Sequence, residues 1–284
     1  MEKRVLNNGV EMPCRGFGVF QILNRDECEQ AVEKALKTGY RLLDTASVYG
    51  NEKAVGAAIS KSGIERKNLF VTTKAWVSEM GYERTKQAFH ESLSRLGLEY
   101  LDLYLIHMPL GDYYGAWRAM EELYRKGLVR AIGVCNFEAD RLMDLCYHAE
   151  VKPMIDQVEL HPFTQHKELC EVAQQLNVQI EAWAPFAEGQ NGIFTDKRLV
   201  DIGKKYGKTA AQVILRWHLQ KGIVAIPKSI HEERIQENFD MMDFVLSDKD
   251  MALIEAMDSG RNLILDIRSK EEVTRLHNIP VIHD

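Results

Sequence analysis

Four side chains raise the question of chemistry first: Asp44, Tyr49, Lys74 and His107. Asp44 lies near the end of a short apolar run, and Tyr49 follows it by five residues. Lys74 stands near the end of the next apolar run, and His107 closes the one after that. A phenol with a pKa of about 10 is a poor acid at neutral pH. An ammonium about 4 Å away would contribute roughly 4 kcal/mol at an effective dielectric of about 20, or about three pKa units at most. A carboxylate beside a buried lysine keeps it charged and oriented. An imidazole in the same place could hydrogen-bond a substrate oxygen or pass a proton to the phenol. Together the four suit protonation of an oxygen that gains negative charge. Asp102 is the contrast: it lies early in its run and is assigned no chemistry.

For these groups to meet, the elements carrying them must deliver run ends to one place. Short apolar runs bounded by turn residues recur at Gly16–Phe20, Tyr40–Ala46, Leu69–Ala75, Tyr100–His107, Val129–Val134, Pro153–Leu160, Val178–Trp183 and Gly222–Ile226. Each has the length of a buried strand. Between them lie helix-like stretches. Arg25–Lys37 sets Cys28, Val32, Ala35 and Leu36 on one face before Thr38-Gly39. Tyr82–Leu96 and Thr209–Gln220 show the same spacing. Alternating strands and helices imply parallel strands with right-handed crossovers, and eight such units make a closed (β/α)8 barrel. Barrel enzymes place their chemistry at the C-terminal strand ends, where all four groups fall.

Ahead of the first unit, Val5–Met12 reads as a hairpin with Asn8-Gly9 in a type I′ turn, placed to cover the N-terminal end of the barrel. An open doubly wound sheet would need a glycine-rich phosphate turn. Gly16-Phe17-Gly18-Val19-Phe20-Gln21 lacks its third glycine. No linker divides residues 1–284, so a single domain is expected. Asn262 to Asp284 is a polar tail that can fold across the mouth.

A composition of 45% hydrophobic and 27% charged residues is that of a folded globular chain. The net charge of −6 argues against non-specific binding to nucleic acid or acidic membranes. Five scattered cysteines form no C-x-x-C pair, and their odd number excludes a complete disulfide framework. The N-terminus has no apolar signal core, and no stretch is long enough to span a bilayer. A cytoplasmic monomer is expected.

Several phrases now fall into order: Leu43-Asp44-Thr45-Ala46-Ser47-Val48-Tyr49-Gly50-Asn51-Glu52, Thr72-Thr73-Lys74, Leu103-Tyr104-Leu105-Ile106-His107, Ile132-Gly133-Val134-Cys135-Asn136-Phe137, Gln157-Val158-Glu159-Leu160-His161-Pro162 and Ile226-Pro227-Lys228-Ser229. In these the chain resembles the aldo-keto reductases over nearly its whole length. The resemblance implies NADPH lying across the barrel mouth, hydride transfer to a carbonyl carbon, and Tyr49 as general acid. It implies that Asn136 and Gln157 hold the carboxamide, that Trp183 lies against the nicotinamide, and that Gly18 and Asp44 join the cofactor site. Cys135 departs from the serine common before that asparagine. A thiol is a weaker hydrogen-bond partner, which puts its share in holding the carboxamide in doubt.

Lys228, Ser229 and Arg234 offer two cations and a hydroxyl around an expected helix start, which suits a dianionic phosphate. In the family the matching residues grip the 2′-phosphate of NADPH, and Glu237 and Asn238 match its adenine contacts. Phe20, Trp76, His107 and Met108 are the expected substrate contacts. The compact length resembles microbial members that take small aldehydes, ketoaldehydes and keto-sugar acids. Two rivals remain: a barrel that binds the cofactor without turnover, and a metal-dependent hydrolase. The complete set of four groups disfavours the first. The second lacks a His and carboxylate cluster at strand ends, so no metal is expected.

Overall fold

The computed structural model describes residues 2–282. All eight apolar runs become strands of one parallel sheet, each shorter than its run except the fifth, which gains Cys135. They are β3 (Gly16–Gly18), β4 (Leu42–Asp44), β5 (Phe70–Ala75), β6 (Leu101–Ile106), β7 (Val129–Cys135), β8 (Ile155–Glu159), β9 (Gln179–Trp183) and β10 (Val224–Ala225), paired in sequence order. The seam closes where Arg15 bridges Ala225 in parallel and the Gly18 N–H donates to the Pro227 carbonyl at 3.1 Å. Glycine is required there. A Cβ on Gly16 would stand 2.4 Å from Leu42 and 2.6 Å from Ile226 side-chain carbons.

Crossover helices surround the sheet: α1 (Arg25–Thr38), α2 (Glu52–Lys61), α3 (Tyr82–Leu96), α4 (Tyr113–Arg125), α5 (Ala139–His148), α6 (Lys167–Leu176), α7 (Lys197–Tyr206), α8 (Ala210–Gln220) and α9 (Glu232–Phe239). Two more, α10 (Asp248–Glu255) and α11 (Lys270–His277), lie in the C-terminal part. Their ends follow from capping chemistry. Asn24 accepts from the Glu27 N–H to start α1, and Gly39 at φ 123° ends it. Thr209 and Gln212 form a reciprocal capping box on α8, so that helix begins one residue after its cap. Trp217 and Ile214 of α8 and Val32 and Ala35 of α1 are buried against the barrel, as their spacing requires. Burying a large apolar side chain contributes about 1.5–3 kcal/mol. Among the described residues no helix is long and apolar enough to cross a membrane.

The leading hairpin, β1 (Lys3–Val5) with β2 (Glu11–Pro13), is antiparallel as expected, but its turn differs. The Gly9 N–H donates to the Leu6 carbonyl at 2.8 Å, Gly9 takes φ 84°, and Asn8 keeps a negative φ. That is a type I turn closed by a left-handed glycine, not type I′. Asn8 is held out of the left-handed region by its own work: its Oδ1 accepts from the Val10 N–H at 3.1 Å, and its Nδ2 donates to the Arg130 carbonyl at 3.0 Å. Asn7 Nδ2 donates to the carbonyls of Pro153 at 2.9 Å and Asn177 at 3.1 Å. The hairpin therefore covers the N-terminal end of the barrel.

Asp102, assigned no chemistry, holds the same end together. Its buried carboxylate pairs with Arg66 and Arg130, each at 2.6 Å, and accepts from the Val71 N–H at 2.9 Å.

Candidate active site

At the opposite end, the β4 strand delivers Asp44 at its last residue, beside Gly18 of β3 and Thr72 of β5. The chain then turns through a short 3-10 segment, Ser47–Tyr49, that presents the phenol. The signature phrase holds this turn on both sides. Asn51 accepts from Thr45 Oγ1 at 2.7 Å and donates to the Val19 and Ile22 carbonyls. Ser47 donates to Glu79 at 2.7 Å, and Glu79 also accepts from the Trp76 N–H. Gly50 takes φ 63° to leave the turn. Tyr49 thus stands on a rigid support tied to the loops after β3 and β5.

Lys74 is fully buried and donates to Asp44 and to the Thr45 carbonyl, the latter at 3.0 Å. Its ammonium lies 5.2 Å from the centroid of the Tyr49 ring. The His107 ring packs edge-on against Tyr49 at 5.5 Å and against Trp76 at 4.9 Å. The four groups meet, as their spacing led one to expect.

Burial alone pulls the Lys74 ammonium down, but Asp44, helped by Tyr49, more than offsets it and holds the lysine above its ordinary range. Burial pushes the Tyr49 phenol up, and the opposing pull of Lys74 does not cancel it. The expected help from lysine is therefore present in sign but outweighed in the resting site, which keeps Tyr49 protonated. Burial, with Lys74 adding to it, pushes His107 well below the usual imidazole range. His107 is a neutral ring whose buried Nδ1 has no protein partner.

Gly18, Phe20, Asp44, Tyr49, Trp76, His107, Met108, Asn136, Gln157, Trp183, Lys228, Ser229, Arg234, Glu237 and Asn238 all line one cleft of about 1040 Å³. Lys74 lies beneath its floor. Asn136, at φ 60°, donates to the His107 carbonyl at 3.0 Å and accepts from Trp183 Nε1 at 2.9 Å. Gln157 spends both amide hydrogens inside the barrel, on Asp44 and Glu181, each at 2.8 Å. Only its Oε1 remains to face a ligand, with the Cys135 thiol 3.8 Å away. Burial holds that thiol well above its ordinary pKa, so Cys135 is an inert partner rather than a nucleophile.

The end of the cleft expected to take a phosphate has groups that suit a dianion. No side chain caps the first turn of α9, leaving its N–H groups free. Lys228 and Arg234 are exposed at the cleft and make no ion pair among the described residues, while Glu232 lies 4.0 Å from Lys34. Glu237 accepts from Thr209 Oγ1 at 2.6 Å, and Asn238 is buried behind it.

Three features were missed in the sequence. The first is Glu181 on β9, a fully buried carboxyl whose Oε1 has no partner. Burial, reinforced by Asp44, pushes its pKa up to about 8. A charged residue inside the apolar run Val178–Trp183 was the available signal. The second is Glu159 at the end of β8, which accepts from the N–H groups of Leu263, Ile264 and Leu265 at 2.8–3.2 Å. That latch lays the tail across the opening, where Ile264, Leu265, Leu276 and Ile279 line the cleft and Trp76 Nε1 donates to the Ile279 carbonyl at 3.1 Å. Residues 283–284 lie outside the described part of this tail. The third is the loop after β9, where Ala184, Ala187 and Glu188 take left-handed φ of 44°, 48° and 52° beside the cleft. Such backbone is costly for residues with a Cβ.

Comparison with known proteins identifies the family of the chain and its fold. The model of the Aldo/keto reductase family matches residues 16–259. The chain is 50% identical to glyoxal reductase of Bacillus subtilis over 259 residues, covering 91% of this chain and 93% of that protein. It is 43% identical to methylglyoxal reductase DkgA of Escherichia coli over 261 residues, covering 91% and 94%. The aldo-keto reductase MGS-M4, from a Medee basin deep-sea metagenome library, superposes with a TM-score of 0.91 at 43% identity, covering 94% of this chain and 98% of that one. A Bombyx mori aldo-keto reductase in complex with NADP gives 0.90 at 32% identity, covering 99% and 98%.

Proposed function

The chain belongs to the aldo/keto reductase family and is an NADP(H)-dependent carbonyl reductase; on that premise we propose that it reduces small aldehydes and ketones to alcohols with Tyr49 as the acid. The observation that carries this reading is the meeting of a protonated phenol, a paired ammonium and a neutral imidazole at the floor of the cleft. NADPH, when bound, supplies the hydride to the carbonyl carbon.

The residues divide the remaining work. His107 donates a hydrogen bond to the substrate oxygen and orients the carbonyl. As negative charge develops there, Tyr49 gives up its proton, and the Lys74 ammonium stabilises the phenolate left behind. Asp44 keeps that ammonium charged and in place. Asn136 and the Oε1 of Gln157, shared with the Cys135 thiol, hold the carboxamide, and Trp183 packs against the ring. Lys228, Ser229, Arg234 and the open turn of α9 take the 2′-phosphate, with Glu237 and Asn238 near the adenine. Phe20, Trp76, Met108 and the tail form an apolar wall that favours small carbonyl compounds such as the dicarbonyls named for the bacterial relatives. The five cysteines are all free thiols, which fits a reducing compartment and the proposed cytoplasmic location. A monomer is proposed, with the active site built from one chain.

The test is NADPH oxidation with a panel of small aldehydes and dicarbonyls, run beside Tyr49→Phe. The variant keeps the ring and loses the donor, so kcat should fall by about 100-fold or more with cofactor affinity retained. Full residual turnover would refute the assignment.

A further inference from the structure

Inside the barrel, under the proposed nicotinamide site, three strands carry Cys135, Gln157 and Glu181 at the same register level. Gln157 joins two carboxyls with one amide, 2.8 Å to Asp44 and 2.8 Å to Glu181. Among the described residues the one cation that acts on this group is Lys74, and it is already bonded to Asp44. The other groups around Glu181 bring no positive charge. Cys135 of β7 is a thiol held neutral, Gln157 of β8 is an amide, and Val224 of β10 is apolar. Two carboxylates and one ammonium would leave an unbalanced buried anion. Burial strongly disfavours that arrangement, so one carboxyl keeps its proton. Asp44 has the ammonium; Glu181, whose second oxygen has no partner, has none.

The balance changes with the charge above it. The reduced nicotinamide ring is neutral and the oxidised ring is a cation. Glu181 lies two residues below Trp183 on the same face of β9 and touches Gln157, the two residues assigned to that ring. We propose that Glu181 is a redox-linked proton site of the cofactor pocket, protonated beneath the reduced ring and releasing its proton to solvent when the oxidised ring binds. The step is a simple ionisation: the carboxyl O–H breaks, its electron pair stays on the carboxylate, and the proton goes to bulk water. Glu181 acts as a positioning residue through Gln157 and makes no contact with substrate. The inference rests on the nicotinamide lying against Trp183 and Gln157, as proposed above.

Its consequence is thermodynamic. An anion formed there tightens the oxidised cofactor relative to the reduced one, so the ratio of their dissociation constants depends on pH. A raised Glu181 pKa places that dependence near neutral to mildly alkaline pH. The 2′-phosphate also titrates, but it is common to both cofactors and cancels in the comparison.

The experiment measures binding of NADP+ and of NADPH to the whole cofactor-free protein, without substrate, by calorimetry in buffers of different protonation enthalpy. In wild type at about pH 7, NADP+ should release a proton that NADPH does not. Between about pH 6.5 and about pH 9 the affinity ratio should shift by about tenfold toward NADP+. Glu181→Gln should abolish both effects, and Glu181→Met serves if the first variant does not fold. Equal proton release in wild type and either folded variant overturns the proposal, as does a ratio that is flat with pH in wild type. Tyr49→Phe, which leaves Glu181 in place, tests the catalytic reading separately. A turnover loss there alongside a null result here would sink this inference alone.

A cofactor-free readout accompanies it. The unfolded chain ionises Glu181 at its ordinary pKa while the folded chain resists, so folded stability is lost as pH rises from about 4.5 to about 8. Glu181→Gln removes that loss. Its stability advantage over wild type should widen across this window and then level off.

Discussion

The two ends of the barrel each bury a carboxylate beside cations, and they use it in opposite ways. At the N-terminal end Asp102 takes Arg66, Arg130 and the Val71 N–H, and none of these lines the large cleft. At the C-terminal end Asp44 pairs with one ammonium, which lies against the ring of a phenol facing the cavity. His107 Nδ1 and Glu181 Oε1 have no partner at this second end, whereas both oxygens of Asp102 are taken at the first, although Arg66 Nε beside it has none. A carboxylate whose oxygens are all taken secures a fold, and a group that faces the cleft with an open donor or acceptor keeps capacity for a ligand and a proton.

The sharpest way to break this comparison is Lys74→Met, which removes the ammonium and leaves Asp44 and Tyr49 in place. Turnover should fall by about 100-fold to 10,000-fold, read as kcat with saturating NADPH, because the phenolate loses its counter-charge. Retained turnover would mean that the rim pair, like the lower one, is only structural. Asp102→Ala probes the other end. Leaving two arginines beside an empty pocket should cost about 3–5 kcal/mol in denaturant unfolding, with kcat per folded molecule unchanged. A loss of kcat at unchanged stability would contradict the division of labour. The mildest effect belongs to Arg234→Ala at the open phosphate end. There the preference in kcat/KM for NADPH over NADH should fall by about 10-fold to 100-fold, the worth of one charge-assisted contact. An unchanged ratio removes Arg234 from the phosphate site.

Much of this was legible along the chain. Apolar runs alternating with helical spacing foretold eight parallel strands, because periodicity follows from which faces must be buried. Asp44, Tyr49, Lys74 and His107 could be grouped before any coordinates, since barrel topology sends every strand end to one rim. The hairpin turn was misread because Asn8-Gly9 satisfies two turn types. The choice between them fell to contacts with Arg130, far away in the chain.

By itself, then, the sequence determined the barrel, the four groups at its rim, and the two cations at the proposed phosphate end. These depend on residue type and spacing, which a linear chain displays. Tertiary structure alone decided that burial outweighs Lys74 at the phenol, that Gln157 spends its amide on two carboxyls, and that Glu159 latches the tail over the mouth. It also joined Glu181 to Asp44 through one amide without giving Glu181 a cation of its own. The physical reason is common to all four. Desolvation and charge balance are properties of a volume, and only folding brings residues from β4, β5, β8 and β9 into the same one.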